Sequence, residues 1–250
     1  MQFVQEPNLP KAAVGLMAVS ATYPEILMEL KSFGIKVIPV EARALLAGPV
    51  QSHADMACHH LGGRKIIAAK GENQFAASLR QYGFEVLESD SIVCDPYPND
   101  SALNAARIGS YLIANSKVLD RTILNDCILE NIKIIEVRQG YAKCSTAVVD
   151  EKSIITSDRG IELAAKRVGL SVLKIRPGFI RLPGYAYGFI GGACGLISRN
   201  ELVFTGNPKV HPDFDQIKKF LDCRKIKITA LSERPLLDIG GMIPLMEKER

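Results

Sequence analysis

Apolar and polar positions along the chain compose a short phrase that recurs five times. Gly34-Ile-Lys-Val-Ile-Pro-Val40 is echoed by Gly83-Phe-Glu-Val-Leu-Glu-Ser89, Asn131-Ile-Lys-Ile-Ile-Glu-Val137, Gly169-Leu-Ser-Val-Leu-Lys-Ile175 and Lys225-Ile-Lys-Ile-Thr-Ala-Leu231. Each phrase is a β-rich run. Four of the five open on Gly or Asn, residues that accept the left-handed turn at the end of a helix. The phrases lie roughly 48 residues apart on average, within the range of structural repeats.

A helical pattern precedes the phrases. Ile161, Ala164, Ala165 and Val168 keep one-face spacing behind a cap at Asp158, and Phe214, Ile217 and Leu221 do the same behind Pro212-Asp213. Thr22-Tyr-Pro-Glu25 has the spacing of a capping box ahead of Ile26, Leu27, Leu30 and Phe33. Upstream of the helices lie pairs of runs that read as hairpins: 145–150 with 153–157, 193–198 with 201–205, and 56–61 with 65–69. The unit is therefore strand–strand–helix–strand, or ββαβ.

The two ends do not complete a unit by themselves. The first phrase has only one strand ahead of its helix, Val14 to Val19, while Leu237 to Leu245 is a strand-like run left over at the other end. If that run supplies the missing strand, five ββαβ blades close into a ring around a pseudo-five-fold axis, and closure removes exposed sheet edges. The expected fold is this α/β propeller, in one domain over residues 1–250. The competing architecture is a doubly wound α/β sheet with accidental phrase similarity.

Composition narrows the function classes. Hydrophobic residues make up 47% and charged residues 23%, the balance of a soluble globular protein. A net charge of +4 is too mild to suggest nucleic acid as a partner. The N-terminus lacks a basic start and apolar run, and the longest uncharged stretch, 182–198, is too short and Gly-rich for a membrane span. Six scattered Cys without a CxxC pair read as free thiols, so the expected location is the cytoplasm, with no membrane partner. Neither GxGxxG nor GxxxxGK[ST] occurs in the stretch 184–195, so no nucleotide cofactor is expected. Its glycines read as tight backbone packing between blades.

Five ββαβ units closed by the two termini resemble the pentein fold of guanidino-group-modifying enzymes, among them arginine and agmatine deiminases and dimethylarginine hydrolases. Gln139-Gly-Tyr-Ala-Lys-Cys-Ser-Thr146 and Tyr187-Gly-Phe-Ile-Gly-Gly-Ala-Cys-Gly195 are more closely similar to a bacterial family of that fold without an assigned reaction. His53-Ala-Asp55, Tyr97-Pro98, Leu103-Asn104 and Asp238-Ile-Gly-Gly241 fit the same pattern.

Candidate chemistry follows. Hairpin alignment puts Cys58, Asn104, Thr146 and Cys194 at equivalent positions near the ring's centre, with Cys144 two residues before Thr146. Cys144 follows Lys143 and lies near Arg138, cations that lower a thiol's pKa, which makes it the candidate nucleophile against the alternative of a buried structural thiol. His53 is the candidate acid/base, and Asp55 orients it, holds a cationic substrate or simply closes a turn. His53, Asp55 and His59 are residue types that ligate metals, but without a supporting second cluster no metal is expected.

The resemblance implies thiolate attack by Cys144 on a guanidinium carbon, with His53 and Asp55 as catalytic partners and Asn104, Lys143 and Asp238 as substrate contacts. The expected activity is a Cys-dependent hydrolase or amidinotransferase acting on a small molecule. Catalytic members of the fold carry their nucleophile near the C-terminus after a Gly-rich strand. Here Gly240-Gly241-Met242 offers none, so the nucleophile would sit in another blade. The alternative is a non-catalytic binding protein with a small-molecule or protein partner. Oligomeric state is not legible in the sequence.

Overall fold

In the computed structural model, which describes residues 1–249, the five phrases become five small sheets. The first unit holds β1 (Gln2–Phe3), β2 (Val14–Ser20), helix α1 (Pro24–Ser32) and β3 (Lys36–Val40). One helical turn, α2 (Ala54–Ala57), leads into β4 (Cys58–Gly62), β5 (Lys65–Ala68), α3 (Asn73–Gln81) and β6 (Glu85–Glu88). The third unit is β7 (Ala106–Ile108), β8 (Tyr111–Ala114), α4 (Arg121–Leu129) and β9 (Lys133–Glu136). The fourth is β10 (Thr146–Asp150), β11 (Ser153–Thr156), α5 (Arg159–Arg167) and β12 (Ser171–Lys174). The fifth is β13 (Cys194–Ser198), β14 (Glu201–Phe204), α6 (Phe214–Asp222) and β15 (Lys227–Ala230), and β16 (Met242–Glu247) follows it.

Each unit pairs its first two strands antiparallel and returns through the helix to a parallel third. Cys58 opposes Ala68 and Ile66 sits beside Val86, and the other blades repeat the scheme. In the first blade the antiparallel partner of β2 is β16, with Met242 opposite Val19 and Ile243 opposite Ala18. β1 then adds to the other edge of β16. The ring expected from the half-units at the two ends is therefore formed. Only the second half of the leftover run is strand, since 237–241 form a loop. Pro244 cannot donate to the ladder, and the register shifts beside it.

The residues opening the five phrases all have left-handed backbones: Gly34, Gly83, Asn131, Gly169 and Lys225 have φ between 54° and 88°. A Cβ there costs roughly 1–2 kcal/mol, which explains Gly at three of the five. Helix starts follow the sequence less closely. Asp158 caps α5 as expected, its Oδ1 accepting from the Ile161 amide at 2.8 Å. The Thr22–Glu25 capping box does not form, because the Thr22 hydroxyl is 2.7 Å from that of Ser52 and Tyr23 occupies the cap. The Asp213 carboxylate is likewise diverted, accepting from Arg176 Nε at 2.8 Å.

The apolar core is divided among the seams between blades. Leu16, Ile38, Ile66, Leu79 and Ile243 fill the seam between the first and second units. Met17, Val19, Ile197, Val203 and Met242 fill that between the fifth and first. The centre is left to buried polar residues, including Asp55, His59, Asn104, Lys143 and Thr146. Residues 7–8 cross its far end, where the Asn8 amide donates to the Arg107 carbonyl at 3.0 Å. No described helix is long and apolar enough to cross a membrane.

The observed register corrects one alignment. Cys58, Thr146 and Cys194 are equivalent, each opposing the last residue of the partner strand. β7 opens with Ala106 opposite Ile113, so the matching position in the third blade is Ala105 and Asn104 stands one residue earlier.

Candidate active site

Three loops at one mouth of the ring build the site. His53 precedes α2 with an extended backbone, and Asp55 lies within that turn. The Asp55 amide donates to the Gly240 carbonyl at 3.3 Å, tying α2 to the loop ahead of β16. Cys144 sits in the loop before β10, which Asn104 holds: its Oδ1 accepts from the amides of Lys143 (2.8 Å) and Cys144 (3.1 Å). Asp238 is fixed from both sides, Oδ2 accepting from the Phe189 amide at 2.8 Å and Oδ1 from the Gly240 amide at 3.0 Å.

Close backbone approach makes this possible. Gly240 has φ +76°, and a Cβ there would run into the His53 side chain. A Cβ on Gly192 would strike the Asp238 carboxylate, and one on Gly191 the carbonyl oxygens of Lys143 and Thr146. The Gly-rich stretch does serve tight packing, as expected, but what it packs against is the site.

His53, Cys144 and Asp238 face a cavity of about 230 Å³ whose remaining walls are mostly apolar and aromatic: Tyr141, Tyr185, Tyr187, Phe189, Leu182 and Met56 among them. One donor atom each from His53, Cys144 and Asp238 lie within 4.8 Å of one another. Asp55 and Lys143 sit behind Cys144 and face a chamber of about 20 Å³ toward the far end. The Lys143 ammonium donates to the Gly191 carbonyl at 3.3 Å and does not line the cavity. The Asn104 side chain is spent on the Cys144 loop. All six sequence candidates thus converge, with three at the cavity wall and three beneath its floor. The aromatic wall was missed. Its signal, Tyr185-Ala-Tyr-Gly-Phe189, stood inside the segment read as backbone packing.

Residues 18–243 match the family of unknown function DUF6873. The chain belongs to that family. No curated protein matches this DUF6873 member in sequence. Its fold is that of the pentein enzymes. It superimposes on SxtG, an amidinotransferase from Microseira wollei, with a TM-score of 0.60 at 11% identity over 99% of this chain and 98% of that one. The inosamine-phosphate amidinotransferase StrB1 from Streptomyces griseus gives 0.62 at 10% identity over 100% and 98%. The Pseudomonas aeruginosa DDAH in complex with citrulline gives 0.57 at 7% identity over 94% and 100%. Identities this low establish a shared fold.

Electrostatics of the DUF6873 site differ from the sequence expectation. Cys144 is 3% exposed, and burial, reinforced by the nearby carboxylates of Asp55 and Asp238, pushes its pKa well up. Its Sγ donates to Asp55 Oδ2 at 2.8 Å, so the thiol's partner is Asp55 and not His53. The expected activation by cations fails for a geometric reason: Arg138 is exposed in an outer groove with Asn115 and Lys117, and Lys143 is engaged by Gly191. The unliganded protein therefore holds a thiol here. The fast-alkylating cysteine is expected to be Cys223, which is exposed, whereas Cys58, Cys144 and Cys194 are buried.

Burial also raises Asp55, to about 6, with His53 and Lys143 offsetting part of the effect. His59 and His60 are buried behind it and lowered to about 4. These shifts act oppositely on stability. The histidines resist protonation when folded, so their contribution is present above pH 6.5 and lost as pH falls through about 4. Folded Asp55 binds its proton more tightly than the unfolded chain does. Its contribution is full below 3.8 and lost as pH rises through about 6. Each effect is on the order of 3 kcal/mol, so two histidines outweigh one carboxyl and the protein is expected to lose stability between pH 6.5 and 4. Asp55→Asn removes the opposing contribution and steepens that loss. Melting temperatures at pH 7 and 4.5 test this: equal drops in both proteins would mean that Asp55 is not raised.

Proposed function

We propose that this protein is a cysteine-dependent hydrolase or amidinotransferase acting on a guanidinium-bearing small molecule. The observation that carries the reading is the shared cavity. It offers a sulfur, an unpaired imidazole and a carboxylate within 4.8 Å of one another, with a second carboxylate on the thiol. A planar cation entering it meets the faces of Tyr141, Tyr185, Tyr187 and Phe189, which favour positive charge. Asp238, oriented by two amides, takes up its N–H groups.

Arrival of a cation next to Sγ favours the thiolate, and the thiol proton passes to Asp55 Oδ2. The sulfur then bonds to the guanidinium carbon, and the C–N bond to the leaving amine breaks as His53 delivers a proton to that nitrogen. The product is an amidinium carried on Cys144. Water completes a hydrolase cycle and an acceptor amine completes an amidinotransferase cycle, each restoring the thiol. The second reading, a binding protein without chemistry, is favoured by the buried, protonated thiol of the free protein.

Incubation of the full chain with arginine, agmatine and methylated arginines separates the two. Ammonia or amine release, together with an adduct on Cys144 in the intact mass, is the expected result. Ligand binding with neither release nor adduct would establish the binding protein instead.

A further inference from the structure

His53 is the feature that the reaction leaves least satisfied. It is 2% exposed, and neither ring nitrogen has a hydrogen-bond partner. Buried polar groups are paired as a rule, and an exception calls for a reason. The other three histidines each have one: His59 Nδ1 is 3.2 Å from the Leu103 carbonyl, His60 Nε2 is 3.1 Å from that of Gly63, and His211 Nδ1 accepts from the Asp213 amide at 3.0 Å. Among the described residues His53 is the one histidine with both nitrogens free.

We propose that His53, Cys144 and Asp238 form a binding site for a soft divalent cation of the Zn²⁺ type, with the fourth coordination position open to the cavity. Their donor atoms, a nitrogen, a sulfur and a carboxylate oxygen, already lie within 4.8 Å of one another, and that donor set suits zinc. Three protein ligands and an open position on the solvent side is the arrangement of a reactive or exchangeable zinc site rather than a structural one.

The surroundings behave as an outer shell. The Asp238 carboxylate is aimed by the amides of Phe189 and Gly240, the Cys144 backbone is anchored by Asn104, and Gly240 presses on the back of His53. Binding forms a metal–sulfur bond, so the thiol proton must leave. Asp55 Oδ2, 2.8 Å from the sulfur, accepts it. The thiolate and the Asp238 carboxylate then balance the two positive charges, with no change of oxidation state.

This site does not depend on the guanidinium chemistry, although it uses the same residues. The cation and a guanidinium group would need the same sulfur, imidazole and carboxylate on the one cavity, so they exclude one another. Metal occupancy would hold the nucleophile in reserve.

The test uses the full chain carrying Cys223→Ser, to remove the exposed thiol, reduced and stripped with chelator. Zn²⁺ is titrated in competition with a chromophoric chelator, and Co²⁺ is followed by absorbance. One Zn²⁺ per chain is expected, with a sulfur-to-cobalt charge-transfer band and tetrahedral d–d bands. Cys144→Ser should abolish the charge-transfer band. His53→Gln should weaken Zn²⁺ binding by at least about tenfold, the least that loss of even an outer-shell partner causes. Saturating Zn²⁺ should block alkylation of Cys144. Absence of stoichiometric binding, or binding that both substitutions leave unchanged, would overturn the site. Should Cys144→Ser fail to fold, His53→Gln and protection of Cys144 in the parent decide the matter. Turnover by the stripped protein is a separate readout, so failure here leaves the proposed reaction standing, and absence of turnover leaves the metal site standing.

Discussion

A chain that stops at Leu236 is expected not to fold. β16 is an interior strand of the first blade, paired with β1 on one side and β2 on the other. With the preceding loop it buries Ile239, Met242, Ile243, Leu245 and Met246. At roughly 1.5–3 kcal/mol for each side chain, removal costs on the order of 7–15 kcal/mol, an upper range because unfolded chains already bury some apolar surface. That equals the entire stability of a typical domain, about 5–15 kcal/mol. The deletion also strips the ladder from β2 and leaves the amides of Lys11 and Ala12 without the Glu247 carboxylate. Circular dichroism and a thermal melt check the outcome. A cooperative transition close to that of the full chain would mean that closure by β16 is dispensable.

Cys144→Ser should separate chemistry from folding. The hydroxyl still donates to Asp55, so the buried carboxylate keeps its partner and the melting temperature should move by only a few degrees. If Cys144 is the nucleophile of the proposed reaction, oxygen in place of sulfur should lower turnover of a guanidinium substrate by about 10⁴-fold or more. Asp55→Asn cannot take the thiol proton, and its effect should fall on kcat with little change in KM. In the unmodified protein kcat/KM for the proposed reaction should decline as pH drops through about 6, where Asp55 of the free protein becomes protonated and can no longer accept. The decisive measurement is kcat and KM for the best substrate of the panel, across pH, in all three proteins. Turnover by Cys144→Ser within tenfold of the unmodified protein would remove Cys144 from the reaction.

The fold was legible because its signals are local. A left-handed residue closing each helix and an alternating strand after it are properties of adjacent residues, and they survive at Gly34, Gly83, Asn131, Gly169 and even Lys225. The half-units at either end carried the closure. The third hairpin was not legible: β7 and β8 are only three and four residues long and are joined through Gly109 and Ser110, with little alternation to read. At the site, the residues that converge were identifiable, but their state was not. Sequence proximity placed Lys143 and Arg138 beside Cys144, whereas orientation sends one to a carbonyl and the other to solvent. Whether a thiol is cooled by cations or enclosed by carboxylates depends on which way side chains turn across blades, and no local pattern records that. The same holds for Thr22 and Asp213, helix-cap residues drawn away by Ser52 and Arg176.

The insertion of β16 between β1 and β2 has a consequence for biosynthesis. During translation β1 and β2 are exposed first, yet the strand that joins them is made after all the other strands. Blades two to five are local and can form as they emerge, while the first blade waits with an unpaired edge on β2 until β16 is made. Such long-range pairing is slow and leaves nascent chains open to aggregation or chaperone capture. The same late segment delivers Asp238 and Gly240, so a growing polypeptide has no complete pocket. The site is assembled in the act of finishing the ring, and a ribosome-bound precursor lacks it.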